Sequence, residues 1–154
     1  MYKKFDKPLR QGRVDTEDGA LGYRWHQKIK SINYPYSKKQ NAITFLGFDC
    51  DVGVRRNKGR IGAADGCDTL KSAMGNFAYH LDNSKLYDAG KVVASEDLGK
   101  SQELLASHVS KLITKSHFPI ILGGGHEVAY ASFLGLFNHI DKTKEIAVIN
   151  FDAH

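Results

Sequence analysis

The stretch FPIILGGGHE, residues 118–127, decides how the chain is read. Its first half is a short apolar run of strand length, which predicts a buried strand over 118–122. Three glycines follow, removing side chains where backbone must approach closely or adopt positive φ. His126 then opens a helix predicted over 127–137, with Val128, Phe133, Leu134 and Phe137 as its apolar residues. A strand feeding a helix through a tight turn is the repeating unit of a parallel α/β sheet.

The same alternation extends in both directions. Upstream, AITFLGF at 42–48 reads as a strand of β-formers. A long Gly- and Arg-containing loop follows over 49–62. A helix is predicted over 64–78 with Leu70, Met74 and Phe77 on one stripe. Residues 85–89 and 91–94 are short strand candidates. A helix is predicted over 101–116, with Ser101 as N-cap, although Leu104 occupies the position where a capping box has Glu or Gln. Its apolar face is Leu104, Leu105, His108, Leu112 and Ile113. Downstream, EIAVINF at 145–151 reads as another apolar strand. Residues 1–40 read as an irregular arm with one short helix around 20–29, punctuated by Pro8, Gly12, Gly19 and Pro35. The expected organisation is therefore an N-terminal arm over 1–40 and an α/β domain over 41–154, with a parallel sheet covered by helices on both faces.

Bulk properties narrow the classes of function. The 154 residues suffice for one domain. Apolar content of 42% and charged content of 25% are ordinary for a globular chain. No apolar run approaches the ~20 residues that span a bilayer, and the polar start MYKKFDKPLRQGRVD lacks a signal core. A cytoplasmic protein without membrane contact is expected. The net charge of +5 is scattered apart from Arg55, Arg56, Lys58 and Arg60, and no nucleic-acid module accompanies it. Cys50 and Cys67 form no Cys-x-x-Cys pair and read as reduced thiols.

Ligands of parallel sheets sit beyond the carboxyl ends of the strands. Two polar clusters fall there: GGGHE at 123–127 and DAH at 152–154. Positions two apart on extended chain share a face, so Asp152 and His154 project together if the strand continues past Phe151. A carboxylate oxygen beside a neutral imidazole suits Mn, Fe or Zn, and His126 adds a third donor on the same rim. Alternative uses of the glycines fail. No Lys-Ser or Lys-Thr follows at phosphate-loop spacing, and the dinucleotide pattern breaks at Val128.

GGGHE and DAH resemble the two leading metal motifs of the ureohydrolase family of arginases, agmatinases and formimidoylglutamases, usually GGDH and DAHxD. The His126-to-Asp152 gap is 26 residues, as that spacing requires. The loop GVRRNKGRIGAADG at 53–66 resembles the Arg- and Gly-rich loop of the formimidoylglutamase branch. GRVD at 12–15, RWHQ at 24–27 and Gly125 in place of the usual Asp resemble it too. Cys67 departs from the pattern, which has Pro there.

The resemblance implies an arginase-like three-layer α/β/α fold, truncated here to about four strands. The family sheet runs 2-1-3-8-7-4-5-6, and with strands 7 and 8 missing the fourth strand is expected beside the third, as 2-1-3-4. It implies hydrolysis of the amidine C–N bond of N-formimidoyl-L-glutamate to L-glutamate and formamide, a step of histidine catabolism, with two Mn2+ per full-length subunit. His126 and His154 would each ligate one ion and Asp152 would bridge both. Arg55, Arg56 or Arg60 would grip the substrate carboxylates, or else serve structural contacts. The catalytic His and the remaining metal carboxylates of the family would lie past residue 154. The 154-residue chain is therefore expected to be inactive and to hold no metal pair, and the full-length protein is expected to be a homo-oligomer. The alternatives are an agmatinase or other guanidino hydrolase, or a non-catalytic truncated pseudoenzyme serving as an assembly module.

Overall fold

The computed structural model describes residues 1–5, 11–37, 39–81 and 85–152. The centre is strand β3 (Ala42–Asp49), flanked in parallel by β4 (Leu86–Val93) and β5 (His117–Leu122). The order β4-β3-β5 is the expected 2-1-3. The outer edge of β4 is covered by two short strands in tandem. β1 (Tyr2–Lys3) pairs antiparallel with Val92 and Lys91, and β2 (Lys30–Ser31) pairs parallel with Tyr87 and Asp88. The first forty residues thus contribute two strands to a mixed five-stranded sheet, where an irregular arm was expected. Covering an edge removes a row of unpaired backbone groups. The short helix expected around 20–29 is instead a 3-10 turn (Gly19–Gly22) and one helical turn, α1 (Trp25–Lys28).

Helices lie on both faces. On one, α4 (Leu98–Thr114) and α5 (Val128–Phe137) bury Leu105, Val109, Leu112 and Ala131 against Leu46, Phe48, Ala89 and Val92. On the other, α1 and α3 (Gly66–Met74) enclose Phe45, Leu86, Cys67 and Leu122. This is the three-layer α/β/α arrangement. Between β3 and α3 stands a five-residue helix, α2 (Val52–Arg56), inside the expected loop. No helix among the described residues is long and apolar enough to cross a membrane.

Four further expectations are corrected. Helix α4 begins at Leu98 rather than 101, because the Asp97 carboxylate accepts the Lys100 amide at 3.1 Å and caps it. Strand β4 is continuous through Gly90, where two short candidates were expected. Helix α3 is shorter than 64–78; it turns Leu70 outward, 45% exposed, and ends before Phe77, which is 52% exposed. Finally, 145–151 forms no strand and does not join β5. Val148, Ile149 and Phe151 are 71%, 80% and 96% exposed. A parallel strand needs cover on both faces, and Phe118, on the β5 face shared with Ile120 and Leu122, is itself 69% exposed. The α1/α3 layer covers Leu122 but leaves Phe118 in water, so a strand beside that end of β5 would have one face exposed.

His108 of α4 is buried beneath Tyr2, Tyr34 and Tyr36, and its Nδ1 lies 2.7 Å from the Tyr36 hydroxyl. Burial, reinforced by Lys111 and the N-terminal ammonium, holds its pKa down to about 4. The unfolded chain binds a proton on this ring near pH 6.5, so the neutral buried ring stabilises the fold fully above that pH. Its contribution is lost as pH falls from about 6.5 towards 4. The expected loss is up to about 3 kcal/mol. Urea unfolding at pH 7.5 and 4.5 checks it, and an equal fall in His108→Gln would count against this assignment.

Candidate metal centre

Strand β5 delivers the chain into Gly123 and Gly124, with φ of +84° and +78°. A Cβ on Gly123 would stand 2.5 Å from the Cys67 backbone nitrogen, and one on Gly124 would stand 3.0 Å from Phe48. Both reasons for glycine read from the sequence, positive φ and close backbone approach, are present. The turn is tied to the chain beyond β3: Gly124 N donates to Ala63 O at 3.1 Å and Gly125 N to Cys50 O at 3.2 Å. Cys67, at the start of α3, is fully buried, and both Gly47 and Gly123 close over it. Burial pushes the Cys50 and Cys67 thiols up to about 11, and both are free cysteines.

His126 leaves this turn with its ring 58% exposed and Nδ1 3.3 Å from Asp152 Oδ2. The Asn150 amide also reaches that oxygen, at 3.4 Å. The two donors therefore meet although 145–152 arrives as irregular chain rather than at a strand end. Two atoms each ~2.1 Å from one ion stand roughly 3.0–3.4 Å apart, so the observed separation fits a shared ion. His154 lies outside the described residues. Among the described residues no set of three His, Cys, Asp or Glu side chains gathers around one point.

The Arg- and Gly-rich loop forms the opposite wall. Gly53, Val54, Asn57 and Gly59 enclose a cleft of about 290 Å³ with His126 and Glu127. Asp51, at the base of the loop, accepts Gly62 N at 3.2 Å and Ala64 N at 2.8 Å, which folds the loop back on itself. Arg55 grips both oxygens of Glu96 at 2.9 and 3.0 Å, and Arg56 donates to the Glu96 carbonyl at 3.1 Å. Arg60 is exposed. Two residues shaping the cleft had no role assigned from sequence. Glu127 was read only as part of a motif, and Asp51 carries no signal beyond an Asp that follows a strand.

Fold and site together define an α/β protein that carries a metal-capable His–Asp pair at the carboxyl rim of its parallel sheet. The Arginase family profile matches residues 41–154, and the chain belongs to the arginase family. Its curated relatives include a formimidoylglutamase of Clostridium tetani, 43% identical over 99% of this chain and 48% of its own length. A formimidoylglutamase of Chromobacterium violaceum is 45% identical over 97% of this chain and 47% of its own. The chain thus spans about half the length of these relatives. Among solved structures, an arginase superfamily protein from Trypanosoma cruzi superposes with a TM-score of 0.59 at 26% identity, over 69% of this chain and 38% of that one. Trypanosoma cruzi formiminoglutamase with Mn2+ superposes with a TM-score of 0.55, also at 26% identity and with the same coverage.

Proposed function

We propose that the chain is part of a manganese-dependent hydrolase that cleaves N-formimidoyl-L-glutamate with water to L-glutamate and formamide, in the cytoplasmic breakdown of histidine. The observation that carries this reading is the His126–Asp152 pair, 3.3 Å apart, at the mouth of the cleft walled by the Arg- and Gly-rich loop. Sequence likeness to formimidoylglutamases over nearly the whole chain supports the choice of substrate. In the reaction the water oxygen bonds to the formimidoyl carbon. The C–N bond to glutamate breaks, and the released nitrogen leaves as the amine after taking up a proton.

His126 and Asp152 would hold the metal, with His154 as a further donor. Bound there, Mn2+ would supply Lewis acidity, lowering the pKa of water and polarising the amidine. The chain's own part is to place an imidazole nitrogen and a carboxylate side by side, and to present Arg55, Arg56 or Arg60 to the two substrate carboxylates. Arg55 is already engaged by Glu96, so a substrate carboxylate would have to share or replace that partner. A pair of Mn2+ ions asks for more oxygen donors than one carboxylate supplies. The full reaction therefore belongs to a polypeptide of the relatives' length.

The test compares the 154-residue chain with a polypeptide of that length carrying it. The longer form should bind two Mn2+ and release formamide, and the 154-residue chain should do neither. In the longer form His126→Ala and Asp152→Ala should each weaken Mn2+ binding by at least ~100-fold. A longer form that turns over agmatine or arginine, and not formimidoylglutamate, would replace the substrate assigned here. Two tightly held Mn2+ on the 154-residue chain would overturn the division of labour.

A further inference from the structure

Glu127 is adjacent to the candidate ligand His126, yet its carboxylate serves the opposite wall of the cleft. Its Oε1 accepts the backbone N–H of Gly53 at 3.2 Å, across a sequence separation of 74 residues. Gly53 belongs to α2, the first segment of the Arg- and Gly-rich loop. The Glu127 carbonyl in turn accepts Gln102 Nε2 of α4 at 3.1 Å, so the residue is held from behind by a seventeen-residue helix.

The glycines around this carboxylate show how closely the two walls fit. A Cβ on Gly53 would stand 2.8 Å from Glu127 Oε2. A Cβ on Gly125 would come still closer to that oxygen, and 2.5 Å from the Val54 side chain. The backbone of α2, the Glu127 side chain and the His126 turn occupy a space that admits no further carbon. Both walls of the 290 Å³ cleft therefore meet at one carboxylate.

We propose that Glu127 is a positioning residue that braces α2 against the His126 turn and so fixes the distance between the metal-binding rim and the wall that receives the substrate. The inference rests on the hydrolase reading above for its kinetic consequence, but not for the brace itself. A residue that orients a binding wall acts on substrate and transition state alike, so its loss raises KM and leaves kcat in place.

Two measurements test it. In the 154-residue chain, Glu127→Ala should speed hydrogen exchange of the Gly53 amide at least ~10-fold, and Glu127→Gln, which retains an acceptor oxygen, should restore protection. In the polypeptide of the relatives' length, Glu127→Ala should raise KM for formimidoylglutamate about tenfold or more, with kcat and Mn2+ stoichiometry held, and Glu127→Gln should recover most of the loss. Unchanged exchange at Gly53 in Glu127→Ala overturns the brace. A loss of kcat or of Mn2+ at unchanged KM overturns its assignment to substrate positioning. A wild-type longer polypeptide inert toward formimidoylglutamate sinks the assigned function and the kinetic role with it, while the exchange contrast still decides the brace.

Discussion

Lys71→Ala is expected to destabilise the chain by about 3–5 kcal/mol. The Lys71 ammonium lies within the α3 face of the core, 2.7 Å from Asp88 Oδ1 and 3.1 Å from the Gly90 carbonyl, with side chains 3% and 0% exposed. The Gly90 amide donates to the same oxygen at 2.8 Å, and Asp88 Oδ2 has no hydrogen-bond partner among the described residues. Burial pushes the Asp88 carboxyl upward, against the pull of Lys71 and the Gly90 amide. Removing the ammonium leaves a carboxylate with one amide for company, and its pKa rises further. A carboxyl whose folded pKa is raised disfavours the fold as pH climbs through that value, so the deficit of Lys71→Ala should be largest near neutrality and shrink towards pH 4. The double variant Lys71→Met, Asp88→Leu should recover part of the deficit, because apolar groups of similar volume avoid desolvating either charge, but it should stay below wild type because the Gly90 amide and carbonyl lose their partners. Urea unfolding of the three proteins at pH 7.5 and 4.5 decides this. A Lys71→Ala deficit under about 1 kcal/mol would mean the pair contributes little.

The same lysine shows where sequence reading stops. Helical periodicity over 64–78 selects Leu70, Met74 and Phe77, since a lysine counts as outward-facing. The structure buries Cys67 and Lys71 and leaves Leu70 and Phe77 half in water, because the partner that makes Lys71 buriable lies on β4 and no local pattern shows it. Gly90 misled in another way. It reads as a strand break, but at φ +76° it sits in an irregularity where the β3–β4 register shifts between Phe45 and Gly47, and the Lys3 carbonyl presses where its Cβ would be. EIAVINF has the composition of a strand, yet a parallel strand also requires two covered faces, and Phe118 shows that one face beside β5 is open to water. By contrast β3 and β5 were legible, since their apolar runs are bounded by turn residues and lie in a strand–helix alternation, while the order β4-β3-β5 followed from the family resemblance and not from the pattern. In the site, His126 and Asp152 carry their chemistry in their residue types and could be singled out before any coordinates. Glu127 and Asp51 act by accepting backbone amides from 74 and 11–13 residues away, and nothing in the local sequence announces that.

Gly123→Ala is expected to cost about 2–4 kcal/mol, and to disable the metal rim as it does so. Two penalties coincide at this position. The left-handed conformation, φ +84°, costs a residue with a Cβ about 1–2 kcal/mol. The new methyl would stand 2.5 Å from the Cys67 nitrogen and 3.0 Å from its Cα, both backbone atoms of α3, so no rotamer change relieves the contact. Either α3 or the turn must move, and at Gly124 and Gly125, next to the substituted position, the turn is held by single hydrogen bonds to Ala63 and Cys50. Its displacement carries His126 away from Asp152, so Mn2+ affinity in the longer polypeptide should fall along with stability. Gly19→Ala separates the two penalties. Gly19 has φ +53° but nothing within 4 Å of its would-be Cβ, so it incurs the conformational penalty alone. Urea midpoints of the two variants should differ by the steric part, about 1–3 kcal/mol. Equal midpoints would show that Cys67 yields to the added methyl, and with that the close approach of α3 would lose its place as the reason for glycine at the head of the metal turn.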